Sequence, residues 1–368
     1  MIILADDITG AAEIAGICLQ YGLQVDFGID ILASGPGQVK VVSTDSRSLT
    51  REAALEIHKK MAIDIAHVQP DFVFKKCDSA LRGYVLTEAL VLAETIKLST
   101  IVVQPANPAA GRVIRDGCYL INDQVISQTA FGEDPDFPAF YDEVDRLLLR
   151  DIEDSLDNVI RGDCDSIEEL ARYASIEPVD KLFVGSSAFF EQILINRFQL
   201  KKLTVSTPVF PLTHFLMIVG SVHPGGKSFL ASLQDKYPVF ELPSSFLQAH
   251  VDSLFLNDYA RMLFEAWQTN KALVLHLPEP GDILPASTKV LTDRLALLTE
   301  AIIQHEALQH VLVTGGATAY ALLNHMGWKS LMPVEQYSPG VVRMLTGKAT
   351  QPDLILKPGS YPWPIGII

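Results

Sequence analysis

Two adjacent carboxylates, Asp6 and Asp7, follow an apolar run at the start of the chain, and Thr9 and Gly10 come soon after them. In an open α/β sheet, ligands bind outside the carboxyl ends of the strands, where the chain turns into a helix. Two carboxylates at such a turn repel each other, which favours a role in binding or proton transfer over a role in stability. The alternative is a short polar turn in which an Asp side chain caps the helix.

Polar side chains follow three further predicted strands. These segments are Thr44–Arg47, Lys75–Gly83 and Gln104–Pro108, and the last of them leads to Arg112. Because parallel strands bring their carboxyl ends to one edge of a sheet, we expect the four segments to meet there. Guanidinium groups bind carboxylates or phosphates, and the Asp, Ser and Thr side chains suit sugar-like hydroxyl groups. An anionic polyol is therefore the ligand that these residues fit best.

The second half of the chain carries three glycine-bearing turns after predicted strands. The first, Gly220–Ser228, nearly spells a P-loop, but five residues rather than four separate Gly220 from Gly226, so we reject that interpretation. The others are Thr314–Thr318 and Lys357–Ser360. Such turns direct free N–H groups and a helix N-terminus at an anion, which predicts a nucleotide or phosphate site. The alternative is that the glycines only permit tight turns.

The elements that must position these residues are short apolar runs alternating with amphipathic segments. This pattern predicts an α/β fold of two domains with mainly parallel sheets and a cleft between them. The predicted domains are residues 1–208 and 212–368, joined at the Pro-bearing segment 206–214. The first helix is predicted from Ala11 to near Gly22, and residues 104–139 read as one long functional loop. The predicted strands are Ile2–Ala5, Val39–Ser43, Phe72–Lys75, Thr100–Val103, Lys181–Val184, Phe215–Val219, Ala272–His276, Val311–Val313 and Leu354–Leu356.

Composition excludes several classes of protein. The 368 residues carry a formal net charge of −15, which argues against a nucleic-acid partner. The four cysteines lie far apart, so neither a zinc ribbon nor a disulfide framework is expected. We find no signal peptide and no apolar run long enough to span a bilayer, and therefore expect a cytoplasmic protein without a membrane partner. A dehydrogenase is not favoured because no G-x-G-x-x-G follows a strand.

Several segments resemble the four-carbon acid sugar kinases. Residues 5–11 resemble the family's A-D-D-[LF]-T-G-A opening, and residues 44–47 resemble its T-[DN]-[ST]-R segment. Residues 75–83 resemble K-K-x-D-S-T-L-R-G, with Ala80 in place of the Thr. Further similar segments are residues 105–117, 185–186, 315–318, 339–341 and 356–359. The resemblance covers nearly the whole chain and implies ATP-dependent phosphorylation of a hydroxyl on a four-carbon sugar acid such as a tetronate, a threonate or a 3-oxo-tetronate. It also implies that domain 1–208 binds the sugar acid and domain 212–368 binds the nucleotide.

The resemblance and the residue types together give each candidate a role. Asp7 and Asp78 are the candidate catalytic bases, and the sequence does not choose between them. Arg47 and Arg82 are expected to hold the substrate carboxylate, while Mg²⁺ and glycine-loop amides hold the triphosphate as the domains close. The full predicted substrate-binding set is Asp6, Arg47, Lys76, Ser79, Arg82 and Arg112. The predicted ATP-binding set is Ser221, Gly315, Gly316 and Gly359.

The nucleotide half departs from the family pattern at three places. His223 and Gly226-Lys227 follow Gly220-Ser221, Ala317 stands where the family has an acidic residue, and residues 360–362 replace N-F-G. An alternative function is therefore a non-catalytic sugar-acid-binding protein with a degenerate ATP site. A homo-oligomer is neither required nor excluded by the sequence.

Overall fold

The chain folds as two compact units, Met1–Leu203 and Thr204–Ile368. The computed structural model describes residues 1–134, 136–153, 155–203, 211–220, 225–248, 250–278, 287–347, 350–359 and 361–368. For residues 225–228 it describes the backbone only. Most of the predicted linker, residues 206–210, lies outside these ranges. No helix in the described ranges combines the length and apolar character that crossing a bilayer requires.

A seven-stranded parallel sheet forms the first unit, with α-helices between most of its strands. Its strands are β1 (Ile2–Ala5), β2 (Val25–Ile29), β3 (Val39–Ser43), β4 (Val73–Lys76), β5 (Thr100–Gln104), β9 (Val159–Ile160) and β10 (Lys181–Gly185). Its helices are α1 (Ile8–Gln20), α2 (Arg51–Val68), α3 (Val85–Thr95), α4 (Val144–Leu148), α5 (Ile167–Ala174) and α6 (Ser187–Asn196). The strand order is β2-β3-β1-β4-β10-β5-β9, and every neighbouring pair is parallel.

The central strands are buried because helices cover both faces of the sheet, and the residues of β1 form a continuous apolar run. All four residues of β1 are buried, as are all four residues of β4. Their side chains join a core that also includes Tyr119, Ile126 and Leu147 from the segment after β5. Burial on both faces therefore fixes the sheet, and the polar residues beyond the strand ends are free to serve a site.

The segment 104–139 is not the single long loop that its Pro, Gly and Asp content predicts. It contains a small antiparallel sheet of β6 (Arg112–Arg115), β7 (Cys118–Ile121) and β8 (Gln124–Val125). Asp116, Asn122 and Asp123 take left-handed backbone conformations at the turns, which Asn and Asp tolerate better than most residues. The prediction was wrong because these strands are too short to show a period.

The second unit also has a seven-stranded sheet, in the order β12-β13-β11-β14-β17-β16-β15. Its strands are β11 (Phe215–Val219), β12 (Val239–Glu241), β13 (Ala272–His276), β14 (His310–Thr314), β15 (Ser330–Ser338), β16 (Val341–Leu345) and β17 (Asp353–Lys357). Its helices are α7 (Gly225–Leu233), α8 (Ser253–Asn270), α9 (Thr288–Ile303) and α10 (Gly316–His325). The pairings among β12, β13, β11, β14 and β17 are parallel, whereas β16 pairs antiparallel with both β15 and β17. The predicted α/β class with mainly parallel sheets is confirmed.

Gly185, the last residue of β10, is packed tightly against β5, helix α6 and the loop that follows β4. A methyl group there would overlap the carbonyl oxygen of Gln104 and the ring of Phe189. The Gly185 carbonyl also accepts the Cys77 N–H at 3.0 Å. We expect Gly185→Ala to lower the free energy of unfolding by about 3 kcal/mol, measured by chemical unfolding. The control Val179→Ala, at a 63% exposed position, should change it by less than about 0.5 kcal/mol; equal effects would contradict the packing argument.

Candidate active site

Four strand ends of the first unit bring the predicted site residues to one edge. Strands β3, β1 and β4 are neighbours in the sheet and run parallel. Strand β10 separates β4 from β5, which also runs parallel to them. Asp6, Arg47, Asp78 and Arg112 follow these strands in that order. The expectation that these four segments meet at one edge is confirmed, whereas the role of each residue stays a prediction.

Asp7 caps helix α1, and it also contacts the site. Its carboxylate accepts the Gly10 N–H at 3.0 Å and the Thr9 hydroxyl. The helix therefore begins at Ile8, three residues before the predicted start. A methyl group on Gly10 would lie 2.6 Å from the Asp7 carboxylate and 3.2 Å from the Lys76 ammonium, so a larger residue here would displace these side chains. The capping and site interpretations of Asp7 are thus compatible.

Arg47 connects three carboxylates. Its guanidinium lies 2.8 Å from the Asp7 carboxylate, 3.1 Å from Asp78 and 3.9 Å from Asp6. The backbone places it, because Asp45 takes a left-handed conformation and the Arg47 N–H donates to the Asp6 carbonyl at 3.3 Å. One cation therefore offsets charge from three acidic side chains.

Asp78 is held by Arg82 and by its own loop. The Arg82 guanidinium donates to both of its oxygens, at 2.9 and 3.0 Å, and the Ala80 N–H donates at 3.1 Å. A second carboxylate, Asp134, accepts from Arg82 at 3.2 Å. Gly83, two residues after left-handed Leu81, has φ +86, which favours glycine at the end of this loop. The donors around Asp78 are those expected for a permanently ionised carboxylate.

Arg112 and Lys76 donate hydrogen bonds to neutral oxygens, unlike Arg47 and Arg82, which pair with carboxylates. Arg112 donates to the Ser79 hydroxyl and lies over the Phe131 ring, with 5.5 Å from its guanidinium carbon to the ring centre. Arg82 approaches the same ring at 5.2 Å. The Lys76 ammonium donates to the Cys77 carbonyl at 2.7 Å. Within the described residues, neither Arg112 nor Lys76 forms an ion pair with a carboxylate.

Asp6 is the least satisfied carboxylate of the site. Its side chain is 2% exposed, and among the described residues neither oxygen has a hydrogen-bond partner. The nearest cationic atom is the Arg47 nitrogen at 3.9 Å, which is too long for a hydrogen bond. Buried charges are ordinarily paired and hydrogen-bonded, so this carboxylate requires a functional explanation.

The three aspartates consequently differ in basicity. Burial raises the pKa of Asp6 to about 6, because the charges of Arg47 and Lys75 offset only part of the desolvation. Burial also acts on Asp7, but Arg47, Lys76 and the Thr9 hydrogen bond outweigh it and lower its pKa. At Asp78 the charge and hydrogen bonds of Arg82, together with Arg47, likewise outweigh burial and hold the pKa far below its ordinary value.

A buried ionic group lies beneath the site. The Lys75 ammonium is 2.7 Å from the Glu88 carboxylate, and the His58 ring nitrogen is 3.4 Å from the same oxygen. All three side chains are no more than 1% exposed. Burial lowers the pKa of His58 to about 4, so the imidazole is neutral at pH 7. Lys75 and Glu88 therefore form an ion pair inside the core, next to Asp6.

The second unit places two of its glycine turns at the carboxyl ends of β14 and β17. Gly315, with φ +105, precedes α10, and no side chain caps that helix. A methyl group at Gly220 would overlap the Thr318 hydroxyl, so the end of β11 lies close to the first turn of α10. The buried Thr314 hydroxyl has no partner among the described residues. These free donors fit a phosphate group.

Of the other residues predicted to bind the nucleotide, two lie at strand or helix ends and one lies outside the described residues. Gly316 is the first residue of α10, and Gly359 follows β17. Burial lowers the pKa of Lys357 to about 8, and its ammonium donates to the carbonyls of Pro358 and Gly359. Ser221 lies outside the described residues. In the described ranges no three His, Cys, Asp or Glu side chains are grouped to hold a metal, although Mg²⁺ in kinases needs only phosphates, waters and one or two carboxylates.

Sequence reasoning missed several residues of the first unit's site. Phe131 and Asp134 lie in the segment predicted as a loop. Asp134 is 52 residues from its partner Arg82 along the chain. Glu88 and His58 read as ordinary polar residues of helices. Lys75 belonged to a recognised motif, yet its burial was not foreseen. The available signal was Glu88 in the first turn of a mainly apolar helix, since a buried charge requires a partner.

Comparison with known proteins agrees with this arrangement. A family described as a sugar-binding N-terminal domain matches residues 1–185, and one described as a nucleotide-binding C-terminal domain matches residues 216–361. A D-threonate kinase from Salmonella typhimurium is 28% identical over 151 residues, which cover 40% of this chain and 36% of that kinase. The chain belongs to the four-carbon acid sugar kinase family. The resemblance seen in the sequence is thereby confirmed.

Other relatives align over more of the chain. A D-threonate kinase from Cupriavidus necator is 24% identical over 92% of this chain and 89% of its own length. A 3-oxo-tetronate kinase from Haemophilus influenzae is 22% identical over 98% of this chain and 96% of its own length. By contrast, the chain spans only 36–38% of the length of three relatives that match at 27–28% identity.

Two solved structures share the fold. A Haemophilus influenzae protein superimposes with a TM-score of 0.72 at 17% identity, covering 98% of this chain and 97% of that one. A Salmonella typhimurium protein gives a TM-score of 0.77 at 16% identity, covering 98% and 96%. At these identities the likeness supports the α/β architecture and carries no statement about activity.

The burial of Asp6 predicts a specific pH dependence of stability. The unfolded chain releases this proton near the ordinary pKa of 3.8, whereas the folded protein holds it to about pH 6. The folded state therefore binds more protons between these values, and stability falls as pH rises through this window. Relative to Asp6→Asn, which cannot titrate, the wild type should lose about 2 kcal/mol between pH 4 and pH 7. Unfolding at several pH values measures this; a constant difference would contradict it.

For the buried Lys75–Glu88 pair, we expect the stability losses of single and double variants to be strongly non-additive. Lys75→Met leaves the Glu88 charge buried without its main partner and should cost about 3–5 kcal/mol of unfolding free energy. The double variant Lys75→Met/Glu88→Met removes both charges and should recover much of that loss. As a control, Lys289→Met breaks the exposed pair with Asp293 and should change stability by less than about 1 kcal/mol. Additive losses in the double variant would refute the buried pair.

Proposed function

We propose that this protein catalyses ATP-dependent phosphorylation of a hydroxyl group on a four-carbon sugar acid. The supporting observation is the distribution of charge at the edge of the first sheet. Arg47 and Arg82 are engaged by carboxylates of the protein, whereas the described hydrogen bonds of Arg112 and Lys76 go to neutral oxygens. An anionic ligand would pair with Arg112, whereas the charge of Lys76 already acts on Asp6, Asp7 and Asp78. Membership in the family supports the choice of a sugar acid over other anions.

The substrate carboxylate is proposed to bind Arg112. The sequence suggested Arg47 and Arg82 for this role, but an incoming carboxylate would have to displace Asp7, Asp78 or Asp134 from them. Arg112 instead offers guanidinium donors beside the Ser79 hydroxyl, and the Phe131 ring supports its flat face. Arg47 and Arg82 then orient the protein's own carboxylates toward the hydroxyl groups of the substrate.

The second domain is proposed to bind the phosphoryl donor. The uncapped first turn of α10, Gly315 and the unpartnered Thr314 hydroxyl supply donors that suit phosphate oxygens. When bound, Mg²⁺ neutralises charge on the phosphates of ATP during transfer. The protein contributes positioning and electrostatic stabilisation, which account for most of the catalysis in this class of reaction.

The direct test measures ADP formation with ATP, Mg²⁺ and a panel of D- and L-threonate, erythronate and 3-oxo-tetronates. We expect turnover with at least one acid. Binding of an acid without any turnover would favour the alternative of a non-catalytic sugar-acid-binding protein.

Arg112→Met tests carboxylate recognition. Losing a charge-assisted hydrogen bond of about 1.5–3 kcal/mol should raise KM for the acid roughly 10- to 150-fold. The matched control is Arg115→Met in the same strand, because Arg115 is about half exposed and pairs with Asp123 and Asp165. Its KM should stay within about twofold of wild type. An unchanged KM in Arg112→Met would refute this assignment.

A further inference from the structure

We propose that Asp6, rather than Asp7 or Asp78, accepts the proton of the substrate hydroxyl, and that this hydroxyl binds between Asp6 and Arg47. The inference rests on the proposed function and adds to it the identity of the catalytic base. Its basis is the contrast between one unpartnered carboxylate and two that are fully engaged.

Asp7 and Asp78 are poor candidates for a base because their charged forms are already stabilised. Asp7 accepts the Gly10 N–H and the Thr9 hydroxyl and pairs with Arg47. Asp78 accepts two backbone N–H groups and two bonds from the Arg82 side chain, and it also pairs with Arg47. A carboxylate with so many donors binds a proton weakly, and few of its lone pairs remain to receive one.

Asp6 has the opposite properties. It is buried at the end of β1, and in the described part of the chain both of its oxygens lack a hydrogen-bond partner. Desolvation makes it more basic than its neighbours, yet its pKa of about 6 leaves it ionised at pH 7 and above. A base with these properties is available at neutral pH and takes a proton more readily than an exposed carboxylate.

The spacing of Asp6 and Arg47 suits one hydroxyl group. The Asp6 Oδ2 and the Arg47 Nη1 are 3.9 Å apart, too far for a direct hydrogen bond. One oxygen atom placed about 2.8 Å from each would bridge them with roughly a right angle between the two bonds. Such an oxygen would donate its proton to Asp6 and accept a hydrogen bond from Arg47.

Neither Asp6 oxygen is accessible to solvent, so the hydroxyl reaches Asp6 only when a neighbouring group moves, and Gly83 borders this place. A methyl group added to Gly83 would be 3.6 Å from the Asp6 Oδ2 and 3.5 Å from the Arg47 side chain. With φ +86, this residue favours glycine, which keeps a side chain out of the place where the hydroxyl would enter. On the other side, Lys75 is held by Glu88, so its charge stabilises the Asp6 carboxylate without bonding to it.

The chemical step balances with ATP as the phosphoryl donor. The hydroxyl O–H bond breaks, and its proton goes to an Asp6 oxygen. The same hydroxyl oxygen forms a bond to the γ-phosphorus, while the bond from that phosphorus to the bridging oxygen breaks and its electron pair leaves with ADP. Arg47 donates a hydrogen bond to the reacting oxygen throughout, and Asp6 later releases the proton to water.

The kinetic test compares Asp6→Asn with Asp7→Asn, using ATP and the acid that the wild type turns over. Asp6→Asn should lower kcat by about 10²- to 10⁴-fold with less than about threefold change in KM for the acid. Wild-type kcat/KM should fall about tenfold per pH unit below pH 6, and Asp7→Asn should retain this acidic limb. The residual activity of Asp6→Asn should lack it. An acidic limb that persists in Asp6→Asn, or a kcat near wild type, would overturn the assignment.

A binding measurement separates this proposal from the proposed function. A hydroxyl that donates to ionised Asp6 lowers its pKa, so binding of the acid at pH 6 should release protons. Calorimetry of threonate binding in two buffers of different ionisation enthalpy measures that release. We expect it in the wild type and not in Asp6→Asn, whether or not ATP is turned over. Equal proton release by both proteins would refute the role of Asp6. Absence of ADP formation would refute the kinase activity, and with it the proton transfer, but not the binding of the hydroxyl between Asp6 and Arg47.

Discussion

The site depends on an uneven sharing of two arginines among four carboxylates, three of which are buried. Asp6, Asp7, Asp78 and Asp134 share the guanidinium groups of Arg47 and Arg82. The two arginines bond directly to three of these four side chains, and Asp6 is left 3.9 Å from Arg47. Because burial of an unpaired carboxylate is costly, the arrangement reduces stability at neutral pH in exchange for a basic group at the strand end.

The scaffold makes this arrangement possible by fixing each member on a different strand end. Asp6 and Asp7 follow β1, Arg47 follows β3, and Asp78 follows β4, and these three strands are hydrogen-bonded neighbours. The Lys75–Glu88 pair then ties the end of β4 to helix α3 from below. Rigid elements thus hold the charges close together, so that little reorganisation is needed when a substrate arrives.

Much of this architecture could be predicted from the sequence. The bounds of β1, β3, β11 and β13 agree with the predicted strands, because burial makes β1 and β11 continuous apolar runs and β3 and β13 mainly apolar ones. Strand β2 was missed because Asp26 and Gly28 interrupt its apolar residues. Parallel pairing also brought the four polar segments together as expected.

The detailed pairing of charges could not be predicted. Which carboxylate each arginine engages depends on distances of a few tenths of an ångström between side chains on different strands. Asp134 reaches Arg82 across 52 residues, and the short strands after β5 that shape this region carry no periodic pattern. The sequence therefore indicated Asp7 and Asp78 as bases, whereas the contacts leave Asp6 without donors.

The most direct test of this account is a crystal structure of the protein with a bound four-carbon sugar acid. The account predicts the substrate carboxylate on Arg112 and one substrate hydroxyl within hydrogen-bond distance of both the Asp6 Oδ2 and the Arg47 Nη1. Arg47 should keep its contacts with Asp7 and Asp78. A substrate carboxylate paired with Arg47 or Arg82, with no substrate oxygen near Asp6, would contradict it.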